Sequence, residues 1–175
     1  NIRTSGIRAI TLKENDELLD VRLTTGDQDI VLGASNGKAI RFNETDVRAM
    51  GRVASGVKGI NISDADDVVG ISLVDGEKNQ VLIVTENGYG KRTNIDEYRQ
   101  QNRGGKGVKT LNVTEKNGQL VTLKSVCGDE DLIIISNKGM MIRIAIEQIA
   151  ETSRSTQGVR LMRLNEGQQV ATIAV

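Results

Sequence analysis

Residues 100–110, QQNRGGKGVKT, interleave three cations, Arg103, Lys106 and Lys109, with three glycines, Gly104, Gly105 and Gly107. Fixed positive charge beside main chain that no side chain shields suits phosphate oxygens: the cations supply attraction, and glycine lets backbone N–H groups come close. The alternative of a nucleotide-binding P-loop fails on spacing. That motif needs glycine six residues before its lysine and Ser or Thr after it, whereas Gln100 and Gly107 hold those positions around Lys106. Other reactive types are scarce. Cys127 is the one cysteine and there is no histidine, so neither a Cys/His pair nor a zinc site has its parts, and no catalytic residue or cofactor is expected. Two tyrosines, Tyr89 and Tyr98, are too few for a platform that stacks single-stranded bases.

Lys+Arg and Asp+Glu both number 23, so net charge gives no sign of a polyanionic partner. Position does. Arg3, Arg52, Arg103 and Arg154 recur in the loops before a Gly-Val or Gly-Ile pair, and Arg8, Lys58, Lys109 and Arg160 recur two residues after each such glycine. Arg41, Arg92 and Arg143 form a third column, Arg48 and Arg99 a partial fourth, and Lys91 stands beside Arg92. Acids fall elsewhere, in KENDE, SDADD and TEKNG and in GDQD, DGEKN and GDED. The spacing predicts one basic and one acidic zone of a curved rim, on which cations at regular intervals neutralise successive phosphates of a bent duplex. The plain rival is a solvated surface with charges mixed for solubility.

The same columns disclose the elements that carry them. SGIRAI, SGVKGI, KGVKTL and QGVRLM place Gly6, Gly56, Gly107 and Gly158 at spacings of 50, 51 and 51, while Gly37, Gly88 and Gly139 follow at 51 and 51. Within a repeat, short Val/Ile/Leu runs bounded by turn residues give four strands, with Asn36-Gly37 and Asn87-Gly88 at two-residue hairpin turns. An all-β, propeller-like fold follows, with four-stranded blades of about 51 residues: repeats 6–55, 56–106 and 107–157 and a partial repeat 158–175, an open wheel. Open sheet edges invite edge-to-edge self-association. The start at Asn1, the single cysteine and the lack of a long apolar run point to a piece of a cytoplasmic protein without a membrane partner.

The residues QNRGGKG at 101–107 resemble the Q-[basic]-R-G-G-[basic]-G box of the C-terminal domain of the bacterial DNA gyrase A subunit, with Asn102 where the family prefers a base. ENGYGKRT at 86–93, VRAMGR at 47–52 and TQGVRLMRL at 156–164 are similar to other stretches of that family. The resemblance implies a β-pinwheel with strands exchanged between blades and double-stranded DNA wrapped on a basic rim. It also implies a role in negative supercoiling beside the rest of the gyrase A subunit, together with the gyrase B subunit, in the bacterial cytoplasm at the nucleoid. The cleavage tyrosine and the ATP site of that family would lie outside this chain. The box-like loop comprises Gln101, Asn102, Arg103, Gly104, Gly105, Lys106 and Gly107. The C-terminal domain of the topoisomerase IV A subunit, which shares the fold, and a propeller-type protein-interaction scaffold remain alternatives.

Overall fold

The computed structural model describes residues 6–74 and 76–175, so the expectation for Arg3 lies outside the described residues. In chain order the strands are β1 (Asp29–Ala34), β2 (Lys38–Asn43), β3 (Val68–Val74), β4 (Gln80–Thr85), β5 (Tyr89–Asn94) and β6 (Val108–Lys109). They continue with β7 (Leu120–Val126), β8 (Asp131–Ser136), β9 (Met141–Ala145), β10 (Val159–Arg160) and β11 (Val170–Ala174). The helical elements among the described residues are three single 3-10 turns, Glu44–Asp46, Ile95–Glu97 and Ile146–Gln148. None is long and apolar enough to cross a membrane.

Three antiparallel hairpins, β1–β2, β4–β5 and β8–β9, recur at the repeat spacing. Their turns differ from the two-residue form expected. Gly37 alone takes a positive φ, +78°, and donates its N–H to Ala34 O at 3.0 Å, while the Asn36 side chain accepts from Lys38 N at 3.1 Å. Asparagine thus acts through its side chain and only the glycine needs the left-handed region. Each hairpin runs into its 3-10 turn, capped in the first two cases by Asn43 and Asn94 and in the third by no side chain.

The sheets cross the sequence repeats. Their strand orders are β3-β1-β2-β6, β10-β5-β4-β7 and β11-β8-β9, so each hairpin receives one flank from the next repeat and, in the first two sheets, the other from the repeat beyond. All-β propeller-like architecture with exchanged strands is therefore what the chain adopts. Where no hairpin of the described residues lies opposite, the same sequence pattern forms no strand. Residues 17–23 read as a strand yet none forms there, with Leu18, Val21 and Leu23 59%, 70% and 94% exposed, while the corresponding Leu120 and Leu123 of β7 are buried. Backbone polar groups need partners before apolar alternation can fix a strand.

Aliphatic clusters hold the sheets together. Val31 and Ala39 from the first sheet meet Val81, Ile83 and Leu123 from the second, and Leu82 and Val84 meet Leu132 and Ile134 of the third together with Ile146 of the 3-10 turn that follows it.

Candidate nucleic-acid interface

The column Arg41, Arg92, Arg143 lies on the second strand of each hairpin, and its job is largely internal. Arg41 Nε donates to Asp29 Oδ2 at 2.7 Å and its Nη1 to Ile95 O and Tyr98 O at 3.2 and 3.4 Å. Arg92 donates to Gln80 Oε1 at 2.7 Å, Ile149 O at 2.8 Å and Glu147 O at 3.1 Å. Each guanidinium thus ties its hairpin to the 3-10 turn of the following repeat. Arg143 pairs with Asp131, Nε to Oδ2 at 2.9 Å, but stays exposed. Asp29 and Asp131 end the acidic turns GDQD and GDED, so acids and arginines expected in separate zones meet here. Arg41 and Arg92, expected as phosphate contacts, are thus also inter-repeat latches, a structural role that the sequence columns did not disclose.

Lys91 requires a stronger correction. It is fully buried and its Nζ donates to Ser153 O at 2.6 Å and Arg154 O at 2.7 Å. Loss of solvent lowers its pKa to about 8; nearby Glu97 opposes that shift and Arg154 adds to it.

The box-like loop is stapled to its own protein. Gln101 N donates to Arg41 O at 2.8 Å, Gly104 N to Gly59 O at 2.6 Å, and Gly105 O accepts from Asn61 N at 2.8 Å. Gly107, φ +68°, approaches Ala39 so closely that a Cβ would lie 2.5 Å from its carbonyl oxygen. Gly107 therefore serves close approach, and the surface it approaches is the edge of β2. Arg103 donates Nε to Asp46 O at 2.9 Å and Nη1 to Lys58 O at 3.2 Å; Arg154 repeats the move one blade on, Nη1 to Lys109 O at 2.9 Å. Both act as backbone clamps, a role that the sequence columns did not disclose. Asn102 and Lys106 remain exposed in the loop.

Solvent-facing positive charge is left at Arg8, Arg48, Arg52, Lys58, Arg99, Lys106, Lys109 and Arg160. Lys109 and Arg160 occupy β6 and β10, the outer strands of the first two sheets. Three cations that column counting missed stand beside them. Lys38 lies directly opposite Lys109, Lys116 lies 5.7 Å from the Tyr89 ring centre, and Arg163 lines the same cleft as Lys116 and Arg160. Only strand register could have brought Lys38 to notice.

The Cys127 thiol donates to Asp129 at 2.8 Å, and that bond, with loss of solvent and nearby Glu130, raises its pKa to about 11, far from a reactive thiolate. No group of three or more metal-binding side chains occurs among the described residues.

The DNA gyrase C-terminal domain family, a β-propeller, matches residues 1–25, 28–75, 79–127 and 130–175. The last three segments each take in one hairpin and the long strand that flanks it. The DNA gyrase A subunit of Staphylococcus epidermidis (strain ATCC 12228) is 51% identical over 174 residues, covering 99% of this chain and 20% of the relative. The chain thus spans about a fifth of the length of that curated relative. A solved DNA gyrase A C-terminal domain superposes with a TM-score of 0.88 at 26% identity, over 97% of this chain and 57% of that one. The C-terminal domain of DNA topoisomerase IV superposes at 0.89 and 25%, over 95% and 52%. With sheets assembled by strand exchange and a family match along nearly its whole length, this chain belongs to the DNA gyrase C-terminal domain family.

Proposed function

We propose that the chain binds duplex DNA through its exposed cations and bends it as part of a gyrase A subunit, supporting negative supercoiling by a type IIA topoisomerase. One observation carries the reading: in a chain of zero net charge, the exposed cations Lys106, Lys109 and Arg160 cluster on the loop and outer strands of successive sheets, and none of them forms an ion pair among the described residues. Contacts to the sugar-phosphate backbone dominate, so base preference is weak and enters through the cost of bending. Arg8, Arg52, Lys58, Arg99 and Arg143 extend the surface. The partners are double-stranded DNA, the remainder of the gyrase A subunit, which would carry this chain, and the gyrase B subunit, in the bacterial cytoplasm at the nucleoid. Strand cleavage and ATP hydrolysis belong to segments outside these residues, and no cofactor is required of this one.

Titration of linear duplex DNA at increasing salt tests the binding. Engagement of six or more phosphates gives roughly a thousandfold loss of affinity between 50 and 200 mM salt. A flat response, or no binding at low salt, overturns the reading and favours a protein-interaction scaffold. The structural likeness to the topoisomerase IV domain, at a TM-score of 0.89, supports a second reading. Supercoiling by the assembled enzyme decides: relaxation or decatenation without introduced supercoils assigns the chain to topoisomerase IV.

A further inference from the structure

We propose that the outer edges of β2 and β5 carry two equivalent seats for phosphates of one DNA duplex. Lys38 with Lys109 makes the first, and Arg160, Lys116 and Arg163 around Tyr89 make the second. The assignment rests on the DNA-binding reading and names where on the surface it acts.

Register makes the first seat. Lys38 and Lys109 are direct partners across the antiparallel β2–β6 pair. Directly opposite residues share a face with Cβ atoms about 5 Å apart, where like charges repel. Both lysines are exposed and neither forms an ion pair among the described residues. The carboxylate near enough to feel Lys38 is Asp66, which is occupied by Asn36 Nδ2 at 2.7 Å and Ser63 Oγ at 2.6 Å. Two ammonium groups are thus held together by backbone pairing with neither ion-paired, Asp66 acting on Lys38 only at longer range, and an anion placed between them relieves their repulsion.

Fifty-one residues on, β5–β10 sets Tyr89 opposite Arg160 in the same places. Tyrosine replaces one lysine, yet positive charge is restored around its ring. Arg160 lies 5.4 Å from the ring centre and donates Nη2 to the hydroxyl at 2.9 Å, and Lys116 lies 5.7 Å from the ring centre. The adjoining cleft, about 530 Å³, adds Arg163, whose side chain has no bonded partner among the described residues, and a single acid, Glu166. The aromatic ring fixes two cations that would otherwise move freely.

The third sheet supplies an internal contrast. Met140 stands where Lys38 and Tyr89 stand, so the third sheet carries neither a cation nor an aromatic ring at that position. Two seats at equal positions in adjacent sheets suit a polyanion that reaches both, and a small anion would gain from one alone. The expected duplex contact therefore bridges the first and second sheets.

The test measures the slope of log K against log salt for the chain and a labelled linear duplex. Lys38→Gln/Lys109→Gln and Lys116→Gln/Arg163→Gln are compared with Lys13→Gln/Lys138→Gln, a pair of exposed lysines outside both seats. Each seat pair lowers the slope by about 0.9, the value of one phosphate, and the four changes together by about twice that, while the control changes it less. Seat variants no different from the control, with a steep slope retained by the unaltered chain, overturn the seats alone. A flat line for the unaltered chain overturns the DNA reading and the seats with it. Without DNA, Lys38→Gln/Lys109→Gln melts no lower than the parent, because repulsion is removed; a clear drop assigns the lysines to structure and also overturns the proposal.

Discussion

Arg41 Nε reaches Asp29 Oδ2 at 2.7 Å across the first hairpin, and 51 residues later Gln80 takes the place of Asp29 opposite Arg92. A neutral amide can stand in for a carboxylate because two other hydrogen bonds of each guanidinium go to main-chain oxygens of the next repeat in both cases. Arg41→Met removes the ion pair to Asp29, which keeps only the amides of Asn43 at 3.1 Å and Gln100 at 3.4 Å, leaves Tyr98 O without its guanidinium donor, and costs about 2 kcal/mol of stability. Arg143, with 73% of its side chain exposed and Asp131 as its one bonded partner among the described residues, changes stability by no more than about 0.5 kcal/mol when converted to Met. Urea denaturation of the two variants reads the difference; equal losses would refute the latch.

Lys91 gives stability a pH signature. Its pKa is about 8 in the folded chain against 10.5 for the free group, so the unfolded chain binds more protons between those values. Stability therefore rises as pH increases through that window. From pH 8 to 10 the gain from this group is about 2 kcal/mol. Tyr98 acts in the opposite sense at higher pH, because burial pushes its pKa up to about 12 and its protonated form is favoured by folding. Denaturation at pH 8, 9 and 10 shows the rise, and Lys91→Met flattens it.

Gly107 and Gly139 share positive φ values, +68° and +77°, but not surroundings. Alanine at 139 meets open space and carries only the left-handed strain, about 1 kcal/mol. Alanine at 107 must also displace the Ala39 carbonyl, and its loss of stability is at least twice as large. Thermal melts of the two variants compare them directly.

The Tyr98 hydroxyl and Thr110 Oγ1 are hydrogen-bonded to each other in the core, both buried. Tyr98→Phe strands the threonine hydroxyl and costs about 1–2 kcal/mol. Adding Thr110→Val removes the stranded group, so the double variant is more stable than Tyr98→Phe alone. Chemical denaturation of both, with the two single variants, closes the cycle.

The period, the strands and the family were legible because turn glycines and aliphatic runs are local signals. Gly37, Gly88 and Gly139 mark the same turn three times, and their spacing needs no knowledge of the fold. The roles of the cations were not legible, because they depend on contacts many residues apart. Arg103 looks free in sequence; its acceptors, Asp46 O and Lys58 O, lie 57 and 45 residues away. Lys91 and Arg92 are neighbours, yet Lys91 is wholly buried beneath the 150–156 segment while Arg92 is partly exposed. Repetition copies structural charges as faithfully as ligand-binding ones, and column counting could not separate them. Residues 17–23 mislead for the same reason: their apolar residues match those of β7, but no hairpin of the described residues pairs with them.

The pairing of Lys38 with Lys109 also governs how the chain can be made. On the ribosome, the outer edge of β2 stays bare until residue 109 has emerged, and that of β5 until residue 160. No repeat can mature alone as it leaves the exit tunnel; closure trails synthesis by a full repeat and more. Such long-range closure slows folding and leaves strand edges open to neighbouring nascent chains meanwhile. A translational pause just before Val108 would therefore raise aggregation more than one placed just after Arg160.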